Sequence, residues 1–334
     1  VSSSKVTINE VARQAGVSIA TVSRFLSHPF SVKEKNRRKI EKVIRELNYH
    51  PLIYARKLAG GRLGVYGLII PGYEGIFNSF YALELIKGVG FSLEKKNIDV
   101  YLHIFWSKDR FNTSLVDGVI FADIITNQEQ LKRILREKLP CVVINRKIEE
   151  FDASFVAVDN FKGAYQATEY LIAQGHKRIA HLAGDLQVQC ARERIEGYKS
   201  ALIENKIRVS DNYIKVANFS YLEARKCLEE LFASSRPPTA VFAASDEMAE
   251  EVVNFANRYK IKVPEQLSVI GFDDNPLCIQ GEIKLSTVRQ PLREMASLGV
   301  DILRKQIEKK EGVKRIVLPS QLVIRESVAP LRRS

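Results

Sequence analysis

The stretch GVSIATVSRFLSH, residues 16–28, decides how the front of this chain is read. Val22, Phe25 and Leu26 fall on one stripe of a helix, the spacing of an apolar face turned to a core. Ile19, Ala20, Ser23 and Arg24 fall on the other side. Ser18 stands where an N-cap belongs, and Val17 with Val22 forms a hydrophobic staple. Upstream, Thr7-Ile8-Asn9-Glu10 is a capping box with Val6 and Val11 as its staple, so a first helix is expected to about Ala15, stopped by Gly16. Two helices joined across Gly16-Val17-Ser18 make a helix-turn-helix connection, whose second helix lies in the major groove and reads base edges. A second box, Ser31 to Glu34, is expected to open a third helix ending near Asn48.

The outward face of that second helix is unusual for a reader. Ile19 and Ala20 cannot hydrogen-bond through their side chains, but apolar groups do read thymine methyls, and Arg24 can contact guanine O6 and N7 bidentately. The competing reading makes Ile19 packing at the helix start and Arg24 a phosphate clamp. Charge favours a polyanion partner under either reading. The formal net charge is +12, and residues 1–62 hold 13 Lys/Arg against 4 Asp/Glu. A basic head on a nearly neutral body points to nucleic acid before an anionic membrane.

Composition sets further bounds. The chain is 46% apolar and 27% charged over 334 residues, which fits two or three folded domains rather than disorder. Cys141, Cys190, Cys227 and Cys278 are far apart, with no C-x-x-C and no paired histidine, so free thiols are expected and neither a disulfide frame nor a metal site. No signal-peptide pattern opens the sequence and no apolar run approaches ~18 residues. A soluble, cytoplasmic protein without cofactor is the expectation.

The run T-I-N-E-V-A-R-Q-A-G-V-S-I-A-T-V-S-R-F-L resembles the N-terminal domain of the lactose/galactose-repressor family of bacterial transcriptional regulators. The resemblance continues through Val32 to Arg37, E-L-N-Y-x-P at Glu46 to Pro51, and A-R-K-L at Ala55 to Leu58. It implies a DNA-binding domain over 1–50, with Thr7, Ser18, Ile19, Ala20, Thr21, Ser23, Arg24, Arg37 and Tyr49 at the DNA. It also implies a hinge helix and linker over 51–62, where Ala55 lets two helices approach and Leu58 wedges into the minor groove. Leu52 departs from the family's usual Asn after the proline.

From Leu63 on, apolar runs alternate with amphipathic stretches, the pattern of parallel α/β sheets. Eight runs read as buried strands: V-Y-G-L-I-I, V-Y-L-H-I-F, V-D-G-V-I-F-A, C-V-V-I-N, F-V-A-V-D, R-I-A-H-L-A, A-V-F-A-A and L-S-V-I-G-F. Eight exceed one small sheet, so two doubly wound lobes are expected. No G-x-G-x-x-G follows the first strand and no P-loop occurs. Only W-S-K-D-R-F-N-T-S-L, residues 106–115, separates the second and third strands, too few for a crossover helix.

This body also resembles the family's effector domain, itself similar to periplasmic sugar-binding proteins. The carrying motifs are V-D-N-F-K-G-A, L-I-A-Q-G-H-K-R-I-A, R-I-E-G-Y, A-A-S-D-E-M-A, V-I-G-F-D-D, S-T-V-R-Q-P and L-V-I-R-E-S. The resemblance implies an effector-binding and dimerisation domain over 63–334. Lobe one would span about 63–158 and 288–316, and lobe two about 159–287 and 317–330, with the last crossings near Thr287 and Val317. It places the effector at the strands' carboxyl ends, against Arg194, Asp273, Phe219, Ser245, Asn145 and Tyr73. Asp159 is a weaker candidate. Arg194 could instead be a structural ion pair, Phe219 core packing, and the neighbouring Asp274 a turn residue.

The resulting expectation is a homodimeric, effector-responsive repressor of sugar-utilisation genes that binds double-stranded operator DNA and is no enzyme. A purine or a partner protein as the controlling signal is the alternative. A sugar-binding transport or processing protein is disfavoured by the basic head and by the lack of a spaced carboxylate pair or activated nucleophile.

Overall fold

The computed structural model of the protein describes residues 6–27, 29–47, 49, 62–73 and 76–331; the hinge positions Ala55 and Leu58 lie outside them. The head opens with α1 (Ile8–Ala15), α2 (Ile19–Ser27) and α3 (Glu34–Glu46). Thr7 caps α1 by accepting from the Glu10 N–H at 3.4 Å. Gly16 closes it in the left-handed region, φ +63°, where glycine carries no Cβ penalty. The Ser18 hydroxyl accepts from the Thr21 N–H at 3.2 Å. Val11, Ala15, Val22, Phe25, Val32, Ile40, Val43 and Tyr49 form one small buried cluster.

The second capping box is not used as expected. Pro29–Ser31 is a 3-10 turn, and α3 starts at Glu34 behind Lys33, which makes no side-chain cap. Proline favours such a tight start because its φ is preset and it has no N–H to satisfy.

The body continues with β1 (Val65–Pro71), α4 (Phe80–Glu94), β2 (Asp99–Phe105), β3 (Gly118–Ala122), α5 (Gln128–Arg136), β4 (Cys141–Ile144) and β5 (Ser154–Val158). Next come α6 (Asn160–Ala173), β6 (Ile179–Ala183), α7 (Gln189–Glu204), β7 (Ile214–Val216), α8 (Tyr221–Ala233), β8 (Ala240–Ala243), α9 (Asp246–Arg258) and β9 (Ser268–Asp273). The chain ends with β10 (Ser286–Arg289), α10 (Leu292–Lys309), β11 (Arg315–Leu318) and β12 (Gln321–Val323).

Two six-stranded sheets result, ordered β11-β5-β4-β3-β1-β2 and β12-β10-β9-β8-β6-β7. Every pairing is parallel except β10 with β12. The central strands are buried throughout because helices cover both faces of each sheet. All eight expected runs are strands, joined by four short ones, β7, β10, β11 and β12. The chain changes sheets after β5, at Gln290–Pro291 and at Pro319–Ser320. The last two changes fall a few residues after Thr287 and Val317, which lie in β10 and β11 themselves.

Between β2 and β3 there is only a 3-10 turn, Thr113–Leu115. In place of a crossover helix, Phe111 lies on the bare face, stacked on Tyr101 at 5.2 Å and edge-on to His103 at 5.5 Å. The ring needs Gly67 beneath it, since a Cβ there would stand 2.5 Å from it. The segment is tied to α5 by Asp109, which pairs with Arg133 at 2.6 Å and accepts from Gln130 at 2.8 Å.

Candidate functional site

Two regions stand out. The first is the outward face of α2. Val22 and Phe25 are buried and Leu26 partly so, while Ile19 is 50% exposed and Ala20 and Arg24 are exposed. Arg24 has no carboxylate partner among the described residues. Ser18 and Thr21 share a hydrogen bond at 2.8 Å, so both hydroxyls already help cap the helix. Arg37 leans over Phe30 at 5.4 Å and lies 3.8 Å from Glu41. Tyr49 is 8% exposed and belongs to the head's core. Thr7 serves as the cap of α1.

The second region is the cleft where the carboxyl ends of both sheets meet. Among the described residues, eleven other than glycine have positive φ. Asn97, Lys138, Lys206, Lys260 and Lys310 follow helices, an ordinary place for the left-handed region. The other six, Asp123, Asn145, Asn218, Phe219, Asp273 and Asp274, all follow or end strands at the cleft. Strain of this kind, of order 1–3 kcal/mol per residue, persists where the surroundings over-determine it, commonly at binding sites.

Arg194 comes from α7 and is buried. Its Nε donates to Asn160 Oδ1 at 3.0 Å and its Nη1 to the Ala244 carbonyl at 2.5 Å, and its guanidinium lies 3.6 Å from the centre of the Phe272 ring. Neutral acceptors and a ring hold it, not a structural ion pair. Asp273 ends β9 and accepts from Gln290 Nε2 at 2.5 Å. Burial pushes its carboxyl well above the usual carboxylate range, and the Arg194 charge only partly offsets this. Asp274 is structural, pairing with Arg289 at 2.6 Å and Arg325 at 2.5 Å.

Phe219 is half-buried, its ring over Gly184 and near Val188, Cys190 and Ile125. Ser245 caps α9 by accepting from the Met248 N–H, so its hydroxyl is engaged. Asp159 likewise caps α6, accepting from the Lys162 N–H at 2.9 Å. Tyr73 stands exposed after β1, near enough to Glu247 and Asp273 of the other lobe to feel their charge. Asn145 follows β4, its N–H donating to the Val156 carbonyl at 2.8 Å.

Four buried side-chain atoms around this cleft find no hydrogen-bond partner: Tyr81 Oη, Asn145 Oδ1, Arg146 Nε and Gln290 Oε1. Such orphans are costly unless a ligand or water meets them. Sequence reasoning did not place Tyr81, Asp123 or Gln290 among the effector-binding residues. Gln290 sits in a quoted motif, S-T-V-R-Q-P, whereas nothing around Asp123 marks it.

Residues 7–52 match the family described as bacterial regulatory proteins, lacI family, and residues 168–328 match a periplasmic binding protein-like domain. The regulator DegA of Bacillus subtilis is 33% identical over 98% of this chain and 99% of its own length. Catabolite control protein A of Priestia megaterium is 33% identical over 96% and 99%. The chain belongs to the LacI family. It is a DNA-binding transcriptional regulator and not an enzyme. Among solved structures, a complex of the regulator CelR with cellobiose superposes with a TM-score of 0.74 at 28% identity, covering 96% of this chain and 99% of that one. A lac repressor dimer bound to operator gives 0.82 at 24% identity over 98% and 100%, a likeness of fold. The LacI-family head and the two-lobed body are therefore parts of one regulator. Among the described residues no helix is long and apolar enough to cross a membrane, and no cluster of metal-ligating side chains occurs.

Proposed function

We propose that this regulator is a cytoplasmic homodimer that represses sugar-utilisation genes and is switched by a sugar held in the cleft. The observation that carries this reading is the set of four orphaned polar atoms at the strand ends where open α/β sheets take ligands, Gln290 Oε1 beside Asp273 and those of Tyr81, Asn145 and Arg146 on the first-lobe side. A sugar's hydroxyls can both donate to Asp273 and accept from Arg194, while Phe219 offers a ring face to its apolar side. The cellobiose complex of CelR and a ribose-bound relative from Enterococcus faecium support the same class. The pocket residues are Arg194, Asp273, Phe219, Asn145 and Tyr73, with Tyr81 and Gln290 added. Ser245 contributes as the cap that shapes the pocket floor.

On the DNA side, residues 1–50 form the reading head, with Ile19, Ala20 and Arg24 at base edges and Thr7, Ser18, Thr21, Ser23 and Arg37 toward the backbone. Tyr49 holds the head together from inside. Residues 51–62 link it to the body, 63–334. Thermal melting of the full chain with pentoses, hexoses, disaccharides and nucleobases tests the reading, because a ligand selective for the native state raises Tm. A sugar should raise Tm and change operator affinity in a mobility-shift assay. A shift from nucleobases alone contradicts the sugar class, and no shift from any compound contradicts the pocket.

A further inference from the structure

The first-lobe wall of the cleft carries a charge that no motif foretold. Asp123 follows β3 with φ +83°, a region in which glycine, asparagine and aspartate are the residues most often found. Its carboxylate is buried and accepts from the adjacent Ile124 N–H at 2.6 Å. Among the described residues it joins no salt bridge. Burial pushes the carboxyl up to about 6, with the nearby Arg146 and Arg192 charges and the Asn145 amide pulling it back. A buried charge without a direct partner destabilises a fold, so its place beside the orphaned atoms is informative. Three of those atoms, on Tyr81, Asn145 and Arg146, belong to its immediate neighbours. Cys190, at the start of α7 on the other lobe, lies near enough to feel both Asp123 and Asp273.

We infer that Asp123 sets the effector's chemical class, requiring hydrogen-bond donors on the side facing lobe one and turning away a carboxylate or phosphate there. The inference rests on the cleft being the effector pocket. An ionised carboxylate only accepts hydrogen bonds, which suits a hydroxyl. An anionic group in the same place meets like charge in a poorly screened interior. Arg146 beside it keeps its charge and an unpartnered Nε, with Nη1 on the Ile124 carbonyl, and the Asp123 carboxylate offsets that charge, which would otherwise attract an acid. Arg194 has two donors committed on the far wall.

The test is calorimetry on the full chain with glucose, galactose and cellobiose against glucuronate, galacturonate and glucose 6-phosphate. The wild type should bind a neutral sugar at least tenfold tighter than its acidic counterpart. Asp123→Asn keeps the shape, tolerates the positive φ and still accepts from Ile124, but removes the charge; it should cut that preference tenfold or more. Asp123→Gly, which the backbone geometry favours, guards against a folding failure and should do the same. The inference is overturned if no neutral sugar binds, if the wild type prefers the acidic forms, or if both variants keep the preference unchanged. Arg194→Ala separates the causes. Loss of binding there with the preference intact in the Asp123 variants leaves the pocket standing and removes this inference, whereas undiminished binding in Arg194→Ala removes the pocket itself.

Discussion

Lys147 and Gln189 exchange two hydrogen bonds across the cleft: the Lys147 N–H donates to Gln189 Oε1 at 2.8 Å, and Gln189 Nε2 donates to the Lys147 carbonyl at 3.1 Å. Lys147 Nζ also lies 3.2 Å from Glu193, and Ile125 packs on Val188, Cys190 and Phe219. Lobe one is thus latched to the N-terminal turn of α7, the helix that carries Arg194. Holding the lobes together fixes the spacing of the two walls.

Breaking the latch should weaken effector binding without touching the pocket. Each hydrogen bond contributes about 0.5–1.5 kcal/mol, so Gln189→Ala should lower apparent affinity by about fivefold or more through the smaller closed population. Calorimetry checks this; an unchanged affinity means that the latch does not govern closure.

The Arg24 side chain separates two ways of touching DNA. Bidentate reading of a guanine makes Arg24→Ala cost about 1–3 kcal/mol and relax preference at one base pair. A phosphate clamp weakens all sequences alike and lowers the salt slope by about one. Binding to a randomised operator library at two salt concentrations distinguishes them. The exposed position of Arg24, one turn on from Ala20, favours base reading, and a uniform loss across sequences contradicts it.

Phe111 replaces a helix and should be costly to remove. Phe111→Ala should destabilise the body by about 3–5 kcal/mol, the usual range for a buried aromatic. Urea unfolding measures it. A loss below about 1 kcal/mol shows that Asp109 and Arg133 hold the segment without the ring.

Asp123 should also reveal itself through pH. Its folded pKa of about 6 exceeds the ordinary 3.8, so the ionised form is penalised in the fold. That penalty is fully present above pH 6 and vanishes below about pH 4. Asp123→Asn should therefore be more stable than wild type by roughly 1–3 kcal/mol at pH 7, with the gap closing as pH falls from 6 to 4. A gap independent of pH contradicts the burial of an ionised carboxylate.

The readability of this chain followed the strength of its local signals. Thr7, Gly16 and Ser18 act where their side chains or φ preferences say they should, because caps are local chemistry. The long apolar strands are equally plain. β7, β10, β11 and β12 are not, since each mixes polar with apolar residues over three or four positions, unlike the equally short but wholly apolar β4 and β8. Ser31 does not open α3, because it ends the turn that starts at Pro29. Asp123 escaped notice for a deeper reason. Its meaning comes from Tyr81, Asn145 and Cys190, which only the fold assembles around it.

The central claim is that a ligand held by Arg194 in the cleft controls DNA binding by the head, a coupling between two distinct sites. The most direct measurement is operator affinity for the wild type and Arg194→Ala, each titrated with the sugar that raises wild-type Tm most. Wild-type operator affinity should change by tenfold or more on saturation. Arg194→Ala should bind operator as the unliganded wild type does and show no response over the same sugar range. A variant that responds at the wild-type concentration, and to the wild-type extent, contradicts the account.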